Sequence, residues 1–183
     1  MQNNHHFMEI GQKLFNFSLK DINNNKITNY DFADKYALVL LITCNHCPYA
    51  QAYWHRLIKL YSKYEDDSLA LIAINPNDAS QYPQDSLENM RKFAEQKNLP
   101  FPYLVDDSQE VAKKLNASKT PEVFVFNSKR ELVYKGAIDD NWEKEDLVTW
   151  YYLEDAIEDA LDGMDVDFPF IEPVGCSIKW KKE

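Results

Sequence analysis

The spacing of apolar residues changes several times along the chain, and each change predicts an element. Phe15-Asn16-Phe17-Ser18-Leu19 alternates apolar and polar, as a half-buried strand does, and beyond the turn residues Asn23-Asn24-Asn25 the pair Ile27-Thr28 reads as a short return strand. Ala37-Leu38-Val39-Leu40-Leu41-Ile42 is apolar throughout and rich in branched side chains, which suits a central, parallel strand covered on both faces. From Tyr49 the period lengthens. Tyr49, Tyr53, Leu57, Leu60 and Tyr64 recur at three to four residues, an amphipathic helix, and Pro48 fits a first turn that has no amide partner to lose. Leu69 to Ile74 repeats the buried-strand pattern. A helix follows across Leu87, Met90, Ala94 and Gln96, then an extended piece at Tyr103-Leu104-Val105. Asp107 and Glu110 have the spacing of a capping box for a short helix containing Val111, Ala112 and Leu115. Val123 to Phe126, a turn at Asn127 to Arg130, and Leu132 to Tyr134 predict a hairpin. Leu147, Trp150, Tyr151, Ile157 and Leu161 predict a last helix, ended by Gly163.

This order predicts an α/β sandwich with a mixed sheet, in one domain over residues 1–183. Residues 1–10 read as a flexible terminus and 164–183, with Pro169, Pro173 and Cys176, as an irregular tail. Composition narrows the function classes. Hydrophobic residues at 45% supply a real core, while a formal net charge of −10 excludes a nucleic-acid partner, which needs a concentrated basic surface. The one compact basic run, Lys179 to Lys182, is broken by Trp180 and reads as a solvated tail. No apolar run approaches the roughly 20 residues of a membrane helix, so no membrane partner is expected. Met1 through Gly11 lacks Lys and Arg and any apolar stretch of signal-peptide length. The expected location is the cytoplasm.

Three cysteines, Cys44, Cys47 and Cys176, are too few for a disulfide framework. Cys44-Asn45-His46-Cys47 follows a buried strand directly and opens a helix. One helical turn brings the sulfurs within bridging distance, and the amides and positive dipole end of a helix favour a thiolate over a thiol. On this reading Cys44 is exposed and attacks, and Cys47 resolves the mixed disulfide. A zinc site would need four ligands, and the only further candidates are His46, His55 and the distant Cys176. Neither a metal nor a cofactor is expected. A purely structural disulfide fits poorly with a reducing compartment. His46 can donate to the Cys44 thiolate or place a positive charge beside it; otherwise it is an exposed loop histidine. His55 reads as a packed or surface residue, and His5 and His6 lie in a frayed terminus. The acids from Asp162 to Asp167 lack the spacing of a calcium loop and read as solvated.

From Gly11 to Gly163 the chain resembles the thioredoxin superfamily, in the branch that also holds peroxiredoxin-like proteins. Within it, the chain is similar to a subgroup of the alkyl hydroperoxide reductase and thiol-specific antioxidant type with a Cys-Asn-His-Cys-Pro-Tyr active site. The carrying segments are Cys44 to Tyr49, Ala73-Ile74-Asn75-Pro76-Asn77-Asp78, Phe101-Pro102-Tyr103, Thr120-Pro121-Glu122, Tyr134-Lys135-Gly136 and Gly175-Cys176-Ser177-Ile178-Lys179-Trp180. The resemblance implies a thioredoxin-like α/β/α sandwich with an N-terminal β-hairpin extension. It also implies that Thr120-Pro121 is a cis-proline site facing the cysteine pair, with a neighbouring backbone able to bind an extended substrate segment.

Two departures from that pattern bear on the chemistry. The strand Ala37 to Ile42 lacks the buried carboxylate that thioredoxins use as a proton acceptor; Glu122 could supply one, or could be a solvated acid at a strand edge. Peroxiredoxins place a threonine three residues before the peroxide-reacting cysteine, whereas Thr43 is four before Cys47 and immediately before Cys44. The expected activity is therefore thiol–disulfide exchange with protein or small-molecule disulfides, served by a thiol reductant. The alternative is a thiol peroxidase of the same fold, acting on peroxides through a sulfenic acid. A third reading is a non-catalytic binding module using the Pro121 groove, against which the intact cysteine pair counts. Cys176 reads as a small apolar residue packed under the tail in preference to a second resolving thiol.

Overall fold

The computed structural model describes residues 7–182, so His5 and His6 lie outside the described residues. Its first half contains β1 (Ser18–Asp21), β2 (Lys26–Thr28), β3 (Ala37–Ile42), α1 (Pro48–Tyr64), β4 (Leu69–Asn75), α2 (Leu87–Lys97) and β5 (Tyr103–Val105). Its second half contains α3 (Glu110–Leu115), β6 (Lys119–Thr120), β7 (Glu122–Phe126), β8 (Leu132–Gly136), α4 (Tyr152–Asp162), β9 (Phe170–Ile171) and β10 (Cys176–Ser177).

The apolar run of β3 sits where its composition demands, in the interior of an eight-stranded mixed sheet of order β2-β1-β5-β4-β3-β7-β8-β9. It pairs parallel with β4 and antiparallel with β7. Side chains alternate across a strand, so β3 feeds two cores. Ala37, Val39 and Leu41 pack with Tyr53, Trp54 and Leu57 of α1, Met90 of α2 and Leu153 and Ile157 of α4. Leu38, Leu40 and Ile42 pack on the other face with Val111, Ala112 and Leu115 of α3 and with Phe124 and Phe126. The result is the expected three-layer α/β/α sandwich. Trp54 is fully buried among Phe93, Phe101 and Tyr103, which anchors α1 to the sheet.

Local bonding overrides the sequence pattern in four places. The first strand starts at Ser18, not Phe15, because the Phe17 amide is taken by the Asn29 side chain at 3.1 Å and Phe17 turns into the core. The capping box of Asp107 and Glu110 does not form: Asp106 accepts from the Ala112 amide at 2.9 Å, and the Ser108 hydroxyl accepts from the Glu110 amide at 3.3 Å. The last helix begins at Tyr152 and leaves Leu147, Trp150 and Tyr151 exposed. The Asp140 carboxylate holds the Thr149 amide and hydroxyl, and the Asp140 amide donates to the Trp150 carbonyl, so that segment is tied to a loop. Described residues of the two predicted ends also make defined contacts. Met8 is buried and its amide donates to the Lys114 carbonyl, and the tail forms two strands, β9 on β8 and β10 on β6. Among the described residues no helix is long and apolar enough to cross a membrane.

Leu40, completely buried at the centre of the sheet, tests this packing. Leu40→Ala is expected to cost about 2–5 kcal/mol by lost burial and an unfilled cavity, read as a lower urea midpoint at unchanged m-value. A loss below about 1 kcal/mol would show that the two layers can collapse onto the gap.

Candidate active site

The sheet register brings the cysteine pair to Thr120. Ile42 stands opposite Glu122 in the antiparallel β3–β7 ladder, and continuing that register past the strand end sets Cys44 against Thr120. The Thr43 amide still donates to the Ile74 carbonyl at 2.9 Å, so the chain leaves the sheet only at the first cysteine. Four residues then bend before α1, with Cys47 as its N-cap and Pro48 as its first residue. The two polar groups of Thr120 meet the two sulfurs: the hydroxyl lies 3.4 Å from Cys44 Sγ, and the carbonyl accepts from Cys47 Sγ at 3.0 Å. The Thr120–Pro121 peptide is cis, as the resemblance implied.

The expected exposed Cys44 is not observed. Cys44 is 1% and Cys47 0% exposed, because β10 lies antiparallel along β6 beside them. The two sulfurs also differ in electrostatic setting. Cys47, not Cys44, occupies the helix start. As a thiolate it takes the Cys44 S–H foremost, together with the Cys176 thiol and the backbone amides of Ala50 and Cys176, and its thiol is pushed down to about 4. Cys44 is pushed up, first by holding its proton in the hydrogen bond to Cys47, then by burial and by the nearby Asp85 carboxylate; the Thr120 hydroxyl opposes this. The Thr120 carbonyl, which accepts from Cys47 Sγ, favours the protonated form of Cys47 and opposes the lowering there, as does burial.

His46 does not donate to Cys44. Its Nδ1 lies 2.5 Å from Asp85 Oδ2, a charge contact without the alignment of a hydrogen bond, and its ring stacks on Tyr82 at 5.7 Å. Asp85 is the site residue that sequence reasoning missed. It is buried after the turn at Pro83 and accepts from the Asn45 amide at 2.7 Å, Asn77 Nδ2 at 2.8 Å and Asn75 Nδ2 at 3.3 Å. Tyr103 completes the network by donating to Asn45 Oδ1 at 2.9 Å. Burial drives the Tyr103 hydroxyl well above the ordinary tyrosine range, so it remains a donor. Satisfied buried networks of this kind fix one geometry, here that of the bend carrying both cysteines. Nothing local marks Asp85 in the sequence. The one available signal was the Asn75 to Asp78 segment, two of whose asparagines bind it.

The other expected site residues separate. Glu122 is not a solvated acid at a strand edge: it is buried, and its Oε2 accepts from the amides of Ser118 at 2.7 Å and Lys119 at 3.1 Å. Burial raises its carboxyl, and its role is to brace the approach to Thr120. His55 is exposed on α1, and the acids at 162, 165 and 167 face solvent. Cys44, His46 and Asp85 each present one donor atom within 4.8 Å of one another. Both Asp85 oxygens already accept N–H bonds and Cys47 lies outside this group, so among the described residues a closed structural site with four protein ligands is not assembled here.

The AhpC/TSA family model matches residues 10–135. An uncharacterized conserved protein from Geobacillus kaustophilus, of known structure, is 37% identical, with 97% of this chain and 95% of that chain covered at a TM-score of 0.90. The thioredoxin domain of a thiol-disulfide oxidoreductase from Bacteroides vulgatus shares the fold at 15% identity, with a TM-score of 0.60 over 70% of this chain and 88% of that one. The thiol-disulfide oxidoreductase ResA of Halalkalibacterium halodurans is 23% identical over 123 residues, 67% of this chain. The match spans 65% of that protein, just under two thirds of its length. The fold is thioredoxin-like.

Asp85 gives the site a test. Its carboxylate disfavours ionisation of Cys44, so Asp85→Asn, which keeps an oxygen for the Asn45 amide, is expected to lower the pH at which Cys44 ionises, read as an earlier second step in thiolate absorbance and as faster iodoacetamide labelling of Cys44 at alkaline pH. An unchanged second step would show that the carboxylate does not set the Cys44 ionisation.

Proposed function

This chain belongs to the AhpC/TSA family, and from that premise we propose that it is a thiol–disulfide oxidoreductase using Cys44 and Cys47 as a dithiol/disulfide couple. The observation that carries the reading is the meeting of both sulfurs on Thr120, at 3.4 Å and 3.0 Å, with the pair's charge directed to one of them.

The chemistry follows from that polarity. The thiolate is the nucleophile, so Cys47 attacks one sulfur of a substrate disulfide, forming a mixed disulfide and expelling the other sulfur as a thiolate. Cys44 then attacks Cys47 Sγ, releasing the second substrate thiol, and its proton leaves with the departing sulfur. The couple has lost two electrons to the substrate, and a thiol reductant restores it. Both sulfurs are buried, so the step requires β10 to lift from β6. The cytoplasmic setting expected from the sequence belongs to this proposal, since a reducing compartment keeps the pair available as thiols.

Disulfides are favoured over peroxides by where the cations are. A departing peroxide oxygen needs a positioned donor for its developing charge. The three arginines are engaged elsewhere: Arg56 with Asp139, Arg91 with the Ile22 carbonyl, and Arg130 with the carbonyls of Phe32 and Lys35. His46 faces Asp85.

The test gives reduced protein a disulfide-bonded test protein and hydrogen peroxide in separate reactions and follows thiol loss. Disulfide is expected to consume the thiols faster. Cys47→Ser should lower turnover by at least about a hundredfold, as removing one member of a unit that acts together does. Cys44→Ser combined with Cys176→Ser should stop at a mixed disulfide on Cys47. Faster consumption by peroxide would replace this reading with thiol peroxidase activity.

A further inference from the structure

The tail brings a third sulfur to the pair. In the two-stranded β6–β10 ladder Cys176 stands opposite Thr120, the residue that contacts both Cys44 and Cys47, and Ser177 stands opposite Lys119. Cys176 packs against the cluster of Cys44, Cys47 and Ala50. The packing under the tail expected from its sequence setting is thus against the cysteine pair itself.

The docking is built on both sides of Cys176. A Cβ on Gly175 would stand 2.3 Å from the Thr120 carbonyl oxygen, so only glycine allows the tail backbone this close. Beyond it, Ile178 is buried in the core containing α3. The Lys179 amide donates to Asn77 Oδ1 at 2.9 Å, and its carbonyl accepts from the Asp78 amide at 2.9 Å and Gln109 Nε2 at 3.0 Å. The Lys181 amide donates to Gln109 Oε1 at 2.9 Å. Gln109 is itself buried and anchored to the Pro76 carbonyl at 2.7 Å. These bonds hold an extended, cysteine-bearing strand where the resemblance placed an extended substrate segment.

We propose that Cys176 is a third redox thiol of this protein, exchanging with the Cys44–Cys47 disulfide to form a Cys47–Cys176 disulfide. The proposal rests on the oxidoreductase reading of the pair. In the step, Cys176 Sγ attacks Cys47 Sγ. The Cys47–Cys176 bond forms as the Cys44–Cys47 bond breaks, the electron pair leaves on Cys44 Sγ, and Cys44 takes up the proton that Cys176 gives up. One disulfide is exchanged for another, with no net oxidation. Burial and the neighbouring Cys47 push the Cys176 thiol up to about 11, so in the dithiol state it is a neutral donor to the Cys47 thiolate, with its proton in place for the exchange. The tail then acts as an internal substrate, moving the disulfide one sulfur closer to the surface.

The test uses full-length Cys44→Ser oxidised with glutathione disulfide, quenched in acid and mapped by non-reducing peptide mass spectrometry. Glutathione first caps Cys47; Cys176 is then expected to displace it and leave an intrachain Cys47–Cys176 peptide. Adding Gly175→Ala, which unseats the strand without touching a sulfur, should lower that product at least tenfold and leave glutathione on Cys47. Circular dichroism confirms that both variants are folded. Retention of glutathione on Cys47 in Cys44→Ser, with Cys176 open to alkylation, would overturn the proposal. An equal yield of the link with Gly175→Ala would overturn the docked-strand basis for it. Wild type oxidised in parallel separates the two readings: a Cys44–Cys47 link without any Cys47–Cys176 link sinks only this proposal, whereas absence of both sinks the oxidoreductase reading.

Discussion

Thr120 commits each of its polar groups to a different part of the chain. Its hydroxyl meets Cys44, its carbonyl meets Cys47, and its strand pairs with Cys176. It is completely buried, and its place is set by the β3–β7 register on one side and by the Glu122 carboxylate holding the two preceding loop amides, those of Ser118 and Lys119, on the other. A one-residue slip in that register would turn every side chain of β7 to the opposite face and take Thr120 from both sulfurs. The packing of Val123 and Val125 in one core and Phe124 and Phe126 in the other therefore also fixes the chemistry.

Around this point the protein separates charge by position. The helix start and the Ala50 and Cys176 amides gather at Cys47, while the Asp85 carboxylate lies on the side of Cys44. In the proposed exchange two thiols of the same intrinsic acidity thereby take different tasks, one carrying the charge and the other keeping a proton to give away late. Asp85 has a second task, since its bond to the Asn45 amide holds the bend between the cysteines, a bend that Asn75, Asn77 and Tyr103 brace through Asp85 and Asn45. The same group shapes the loop and sets the field inside it.

The sequence carried the parts of this account that local pattern determines. The continuous apolar run of Ala37 to Ile42 marks a strand buried on both faces, the shift in period at Tyr49 marks α1, and two cysteines at that junction mark the chemistry. The parts set by long-range contact were hidden. Asp85 lies forty residues from Asn45 in the chain, in a turn with nothing to distinguish its acid from a solvated one. The tail, with two prolines and little periodicity, offered no sign of β10, because its pairing depends on Thr120 and on the space left by Gly175. Trp150 and Tyr151 matched a helical period yet stand outside α4, where bonds to Asp140 hold the preceding segment. The place of the helix start relative to the two sulfurs was hidden for a related reason. The spacing puts both cysteines near a helix start, but only the bend after Thr43 shows that the start is at Cys47.

The claim on which the rest depends is that a singly ionised pair holds its charge on Cys47. Carbon-13 labelling of the cysteine β-carbons in the reduced wild-type protein, followed by NMR across a pH titration, reads each sulfur separately. The account expects the Cys47 β-carbon to titrate first, well below the ordinary thiol value of about 8.5, with Cys44 still protonated at pH values where Cys47 is fully ionised. A Cys44 β-carbon that titrates first, with Cys47 unchanged, would contradict it.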